Sequence, residues 1–223
     1  AHEIEIMRFA NRITLEAIQA AFAALREGTT QQELARNIRE AMSRLGYPGG
    51  WVLALIGESS AYPHGSENPA ALKEGDVVLV DAGTSVHGYQ ADITRTTVFG
   101  RPSEEAVKVF EIVREAQARA LEAAAPGKTC GSIDAVARKV VEDAGYGPGY
   151  RYFTHRLGHG IGLEGHEWPY LVRGSEVVLR PGMTFSDEPG IYQYGKFGVR
   201  LEDIMVITET GAELLTEPAA ALV

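Results

Sequence analysis

Asp81 and Asp92 stand on the two arms of one candidate hairpin, Asp76–Gly100, with the sequence DVVLVDAGTSVHGYQADITRTTVFG. An apolar β-branched run precedes Ser85–Gly88 and a run rich in Thr and Val follows, the pattern of two strands around a tight turn. A turn centred between Val86 and His87 sets the two aspartates directly opposite each other, where Cβ atoms lie about 4.5–5.5 Å apart. Two ionised carboxylates that close repel, and a proton or a cation must relieve them. Arg180–Thr208 repeats the plan, and a turn centred on Gly195 sets Glu188 opposite Glu202. Four carboxylates on two equivalent hairpins indicate a binuclear metal site, provided no bulge shifts either register.

Histidines concentrate in the segment 151–169, RYFTHRLGHGIGLEGHEWP, which carries His155, His159 and His166. Glycines at 158, 160, 162 and 165 argue against a helix, so this is no helical zinc motif of the HExxH kind. Glycine in a strand marks a place where something approaches the backbone closely. One nitrogen ligand from this segment would complete a site with the four carboxylates. His64 lies in the Gly-, Ser-, Pro- and Asn-rich loop 57–70. His87 is expected at the hairpin tip facing solvent, and His2 is expected to be disordered.

The elements that must position these residues come in two sets. Apolar residues at helical spacing predict a helix over 3–27, stopped by Gly28. Thr30 with Glu33 forms a capping box for a second helix that runs to Leu45. A short buried strand follows over 51–56. Residues 103–124 and Thr129–Ala144 read as two further helices. Gly28, Thr30, Leu34, Gly46 and Tyr47 recur 99 residues later as Gly127, Thr129, Ile133, Gly145 and Tyr146. The chain therefore reads as two copies of a helix–helix–strand–hairpin unit, about 3–100 and 103–215. Such a repeat predicts an α+β fold, with one sheet built from both halves, helices outside and the carboxylates on its concave axis.

Bulk properties narrow the function. The length of 223 residues suits a single domain with an internal repeat. A net charge of −9 argues against a nucleic-acid surface. No apolar run reaches membrane-spanning length and no secretory signal opens the chain. One cysteine, Cys130, cannot form an internal disulfide, which fits a reducing, cytoplasmic compartment. The first residue is Ala, so the chain is expected to be processed, trimmed or a fragment.

These residues resemble the M24 "pita-bread" metallopeptidases, which include methionine aminopeptidases, Xaa-Pro aminopeptidases and prolidases. The resemblance covers essentially the whole chain and rests on Asp81, Asp92 in GYQADITRT, His159 in GHGIGLEGHE, Glu188 in DEPGIY and Glu202 in GVRLED. The DITRT, EPGIY and GVRLED wording is similar to the Xaa-Pro branch. The resemblance implies a pita-bread fold and two divalent ions. Asp81 would hold one ion, His159 and Glu188 the other, and Asp92 and Glu202 would bridge. Oxygen ligands with one imidazole favour Mn²⁺ and fit Co²⁺, Zn²⁺ or Fe²⁺ less selectively. A metal-bridging hydroxide would attack the Xaa-Pro peptide bond of a dipeptide or short peptide with proline second. Glu188 would also shuttle a proton, and His64 and His166 would bind substrate and stabilise the tetrahedral intermediate. His155 and Arg200 would help hold substrate and order the bridging ligands.

The resemblance leaves homodimerisation open. Prolidases and aminopeptidases P usually carry an N-terminal domain before the catalytic one, and this chain opens at the first catalytic-domain helix. Residues 1–223 are thus expected to form a single catalytic domain without that partner. The competing readings are a methionine aminopeptidase or other M24 amide hydrolase, a creatinase-like enzyme, and a non-catalytic binding member. The last two lose the carboxylate ligands, which are intact here. No G-x-S-x-G elbow supports a serine hydrolase.

Overall fold

The computed structural model describes residues 2–65 and 70–222. The first helix, α1 (His2–Ala23), buries Met7, Ala10, Thr14, Ala17, Ile18 and Ala21 along one face. His2, expected to be disordered, is its first residue. The helix ends short of Gly28, because the Thr29 hydroxyl accepts from the Arg26 amide at 3.3 Å and draws that turn out of the helix. In α2 (Gln31–Arg44) the capping box forms as expected: Thr30 accepts from the Glu33 amide, and the Glu33 carboxylate accepts from the Thr30 amide at 2.9 Å.

Strand β1 (Trp51–Ile56), a 3₁₀ turn at Gly57–Ala61, β2 (Val77–Gly83), β3 (Ser85–Val86), β4 (Tyr89–Gln90) and β5 (Ile93–Val98) complete the first half. The second half holds α3 (Glu104–Ala123), α4 (Cys130–Asp143), β6 (Gly158–Gly160), β7 (Glu167–Leu171) and β8 (Thr184–Asp187). It closes with β9 (Gly190–Gln193), β10 (Phe197–Arg200), β11 (Asp203–Ile207) and β12 (Ala212–Leu214). Equivalent bonds recur in the two halves. Gly28 N donates to Leu72 O at 2.8 Å, as Gly127 N does to Leu179 O at 3.1 Å. Gly75 N donates to Phe99 O at 2.7 Å, and Gly182 N to Ile207 O at 2.8 Å.

The first hairpin departs from the expected register. Its two-residue turn is His87–Gly88, with φ of 50° and 87°, the left-handed pair that matches strand twist. That turn sits one residue later than the spacing suggested. Asp81 therefore pairs with Thr94, and Asp92 lies just before β5, diagonal to Asp81 on the same face. The second hairpin is centred on Gly195 as its spacing requires. Gln193 pairs with Phe197, and Asp187 with Asp203. Glu188 and Glu202 face each other in the gap between these two ladders.

The expected single sheet is two main sheets, ordered β1-β2-β5 and β12-β11-β8-β6-β7. They meet at one bridge, Thr94 with Glu202. On either side of it the strands splay and side chains replace the ladder. The Thr96 hydroxyl donates to Arg200 O at 2.8 Å, and the Arg95 guanidinium donates to Glu202 O at 2.8 Å. One core packs Ile18, Leu34, Ile38 and Met42 of the first helices on Val78, Val80 and Ile93. A second packs Val109, Phe110, Val113, Ile133 and Val141 on Leu171, Phe185 and Met205. Each such side chain contributes about 1.5–3 kcal/mol on burial. Among the described residues, no helix is long and apolar enough to cross a membrane.

Candidate metal centre

The junction between the two sheets gathers the carboxylates. Asp81 comes from β2, Asp92 from the approach to β5, His159 from β6, and Glu188 and Glu202 from the two sides of the second hairpin. Strand β6 comes this close because residue 158 is glycine: a Cβ there would lie 1.9 Å from Ser186 O. The His159 Nε2 stands 3.5 Å from Glu188 Oε1, 3.6 Å from Asp92 Oδ2 and 4.0 Å from Glu202 Oε1. Its Nδ1 lies 3.0 Å from Gly160 O, so Nδ1 carries the proton and the Nε2 lone pair faces the carboxylates.

Ligand atoms from Asp81, Asp92 and Glu202 lie within 4.8 Å of one another, and so do those of His159, Glu188 and Glu202. The two groups share Glu202. A further group joins Asp92, His159 and the exposed His166. The donor chemistry fits divalent cations. Asp81 Oδ1 and Asp92 Oδ1 are buried without a hydrogen-bond partner. A lone pair aimed at three carboxylates, and buried carboxylate oxygens without donors, are costly unless a cation lies between them.

Charges respond accordingly. Burial, then Glu202 and Asp81, pushes Asp92 well above the usual carboxylate range. Burial, then Glu188 and Asp81, does the same to Glu202. Glu188 rises to about 7, chiefly through burial, with Arg200 opposing. Burial drives His159 down to about 3, so its imidazole is neutral, the form that ligates metal.

Hydrogen bonds fix the ligands from behind. The Thr94 hydroxyl donates to Glu202 Oε2 at 2.6 Å and accepts from Arg200 Nε at 3.1 Å. Arg200 also donates to Asp81 Oδ2 at 2.7 Å and to the Tyr192 hydroxyl at 2.9 Å. Since Tyr192 accepts from Arg200, its own proton goes to His155 Nε2, 2.8 Å away. His155 Nδ1 then donates to Arg156 O at 2.8 Å. Behind Glu202, buried Asp203 accepts from Arg95 at 2.6 and 3.2 Å, from Gln117 at 3.1 Å and from Thr216 at 2.7 Å.

The profile of metallopeptidase family M24 matches residues 5–209. The chain belongs to metallopeptidase family M24. It is 43% identical over 217 residues to the Xaa-Pro dipeptidase of Pyrococcus furiosus, covering 96% of this chain and 62% of that protein. It is 39% identical over 212 residues to the Xaa-Pro dipeptidase of Lactobacillus delbrueckii subsp. lactis, covering 92% of this chain and 56% of that one. The solved prolidase from Pyrococcus furiosus superposes with a TM-score of 0.92 at 42% identity, over 98% of this chain and 64% of that one. The X-Pro aminopeptidase from Thermotoga maritima superposes at 0.93 with 39% identity, over 99% of this chain and 62% of that one. The chain thus spans less than two thirds of the length of these relatives. The α+β pita-bread architecture expected from the sequence is that of this M24 chain.

The structure brings Asp81, Asp92, His159, Glu188 and Glu202 to one side of a cleft of about 680 Å³, with His64, His155, His166 and Arg200 also on its walls. His64 and His166 are exposed within it. Protein atoms engage both ring nitrogens of His155, Arg156 O at Nδ1 and the Tyr192 hydroxyl at Nε2. His87 is exposed at the hairpin turn and outside the cleft lining. Thr94, Tyr192 and the Arg95–Asp203 pair went unrecognised in the sequence. A signal existed for the pair: each is a charged residue inside an otherwise buried β-branched or apolar strand, where charge survives only when matched.

Proposed function

We propose that the chain is the catalytic unit of a metal-dependent Xaa-Pro peptidase, with residues 1–223 acting as one domain. The observation that carries the reading is the junction of His159 and four carboxylates at one wall of the cleft. In this reading Asp81, Asp92 and Glu202 hold one ion, and His159, Glu188, Asp92 and Glu202 hold the second. The oxygen-rich set with one imidazole favours Mn²⁺. Bound there, the ions supply Lewis acidity and lower the pKa of water enough for attack near neutral pH.

The remaining work falls to the protein. Glu188 Oε1 accepts from Ser186 Oγ at 3.2 Å, which leaves Oε2 to take and return a proton at the cleft. His166 Nδ1 faces Arg156 Nη2 at 3.4 Å, so the Nε2 proton is free to donate to a developing oxyanion. His64 lines the same cleft and contacts substrate. His155 and Tyr192 act as positioning residues that carry the Arg200–Asp81 contact across to the histidine segment. Trp51, Leu53 and Val172 give the cleft an apolar wall suited to a proline ring. Proline makes a tertiary amide with no N–H, so that wall need supply no acceptor. A secondary amide there leaves a donor unpaired at about 1–3 kcal/mol. The buried Cys130 fits a reducing, cytoplasmic setting.

Steady-state kinetics on Ala-Pro and Ala-Ala with Mn²⁺ added test the reading. The Ala-Pro substrate should lead by roughly tenfold or more in kcat/KM. His166→Ala should depress kcat while metal content stays at the wild-type level. Comparable kcat/KM on the two dipeptides would move the assignment to a general aminopeptidase.

A further inference from the structure

The two main sheets share little backbone where the carboxylates gather. Thr94 N donates to Glu202 O at 3.3 Å, and Glu202 N donates to Thr94 O at 3.1 Å. This single bridge joins them among the described residues. Carboxylates stand on both sides of it, Asp81 and Asp92 with the first sheet and Glu188 and Glu202 with the second. Like charges push the junction open unless cations lie between them. Side chains alternate along a strand, so Thr94 and Glu202 face the metal centre while Arg95 and Asp203 face the rear.

On that rear face Arg95 grips both strands at once. Its Nη1 donates to Thr94 O at 3.0 Å and to Glu202 O at 2.8 Å, the two carbonyls of the bridge. Its two terminal nitrogens hold the Asp203 carboxylate, and Nη2 also donates to Glu217 O at 2.9 Å. Glu217 belongs to the segment 216–222, which follows β12 and passes behind the junction. The Thr216 hydroxyl donates to Asp203 Oδ1 at 2.7 Å, and the Thr97 hydroxyl donates to Leu222 O at 3.0 Å. Leu222 is buried, whereas Glu217, Pro218, Ala220 and Ala221 are exposed. Polar contacts to residues 95, 97 and 203 therefore do much of the work of holding this segment down.

We propose that the segment 216–222 is a strap whose docking on Arg95 and Asp203 is coupled to metal binding at Glu202. This deepens the metal-dependent peptidase reading and rests on its metal centre. Arg95, Thr216 and Thr97 act as positioning residues. Ions on the front face draw the carboxylates of the two sheets together, and the strap on the rear face fastens the same two strands. Each closes the junction that the other needs closed. The coupling is therefore reciprocal: the strap tightens the metal site, and the ions tighten the strap by the same factor. A strap with a structural role alone would stabilise the metal-free and metal-loaded protein equally and leave metal affinity unchanged.

The test measures Mn²⁺ affinity by calorimetry in wild type, Thr216→Val, Thr216→Ser and the double variant Thr97→Val with Thr216→Val. Both valines keep the shape of threonine and remove only the hydroxyl that tethers the strap, while Arg95 and Gln117 still hold Asp203. The double variant should bind Mn²⁺ about fivefold or more weakly, the lower end of ordinary coupling between sites. Thr216→Val should shift affinity in the same direction by a smaller factor, and Thr216→Ser should stay near wild type. Elastase, which cuts after small residues, reads the reverse direction on native wild type. Saturating Mn²⁺ should slow cleavage within 219–221 by about the same factor, because cleavage tracks the open population. Wild-type affinity in the double variant, or cleavage indifferent to Mn²⁺, would overturn the proposal and leave the metal centre standing. Wild type that binds no Mn²⁺ would overturn both. Coupling observed with Ala-Pro left uncleaved supports the strap and defeats the peptidase reading alone.

Discussion

Removing divalent ions should make this protein less stable as pH rises from about 6.5 to 8. Asp92 and Glu202 are raised well above the usual carboxylate range and Glu188 to about 7, in each case first by burial. Without cations the folded chain therefore keeps protons that the unfolded chain has already released at about pH 4. A group that binds protons more tightly when folded loses its stabilising contribution as pH rises through its folded pKa. His155 and His159, driven by burial down to about 3, act in the opposite sense. Unfolding lets them take up protons, but only below the ordinary histidine pKa of about 6.5. The two effects compete between about pH 4.5 and 6.5, and above that window only the carboxylates remain.

Each carboxylate still protonated in the fold contributes a slope of about 1.4 kcal/mol per pH unit. One such group across that window removes about 2 kcal/mol, or roughly 4–8 °C in Tm for a chain of this size. Thermal melts of chelator-treated protein at half-unit pH steps measure it. Excess Mn²⁺ should abolish the decline, because the ions bind the ionised carboxylates, and occupancy at a hundredfold over Kd adds about 2.7 kcal/mol. A flat metal-free profile across the window, or identical profiles with and without metal, would refute a buried anionic cluster.

Two substitutions test the scaffold. Gly158→Ala forces a Cβ onto Ser186 O, with the built atom only 1.9 Å away. It should displace β6 and lower both Tm and metal content, and wild-type melting with full metal occupancy would contradict the close packing. Arg95→Met strands the buried Asp203 carboxylate and frees the Glu202 backbone. A loss of about 3–5 kcal/mol is expected in denaturant melts, and Arg95→Met with Asp203→Leu should recover part of it. Additive losses in the double variant would argue against direct coupling.

Much of this site is legible in the sequence, and particular residues show where that stops. Glu188 and Glu202 face each other as their spacing about Gly195 requires, since no bulge intervenes. Asp81 and Asp92 do not, because the positive-φ turn falls on His87–Gly88, one position beyond the centre that symmetry of the two aspartates suggests. Capping chemistry is local, so the Thr30 and Thr129 helix starts follow directly from residue types. The junction of the two sheets is not local. Thr94 meets Glu202 across 108 residues of chain, and nothing in either strand alone specifies that contact. Tyr192 is similar: EPGIY shows a conventional aromatic in a strand, and only the fold reveals a phenol between Arg200 and His155. The His155 ring likewise reads as a free histidine until both nitrogens are traced to their partners.

These two hairpins and His159 should hold two ions through shared carboxylates. Metal content per chain after equilibration with Mn²⁺ and removal of free ion tests it most directly, in wild type, Asp92→Asn and Glu202→Gln. Wild type should retain two ions, and each variant should lose both, because each would remove a bridging ligand. Two tightly held ions in both variants, or no stoichiometric metal in wild type, would contradict the account.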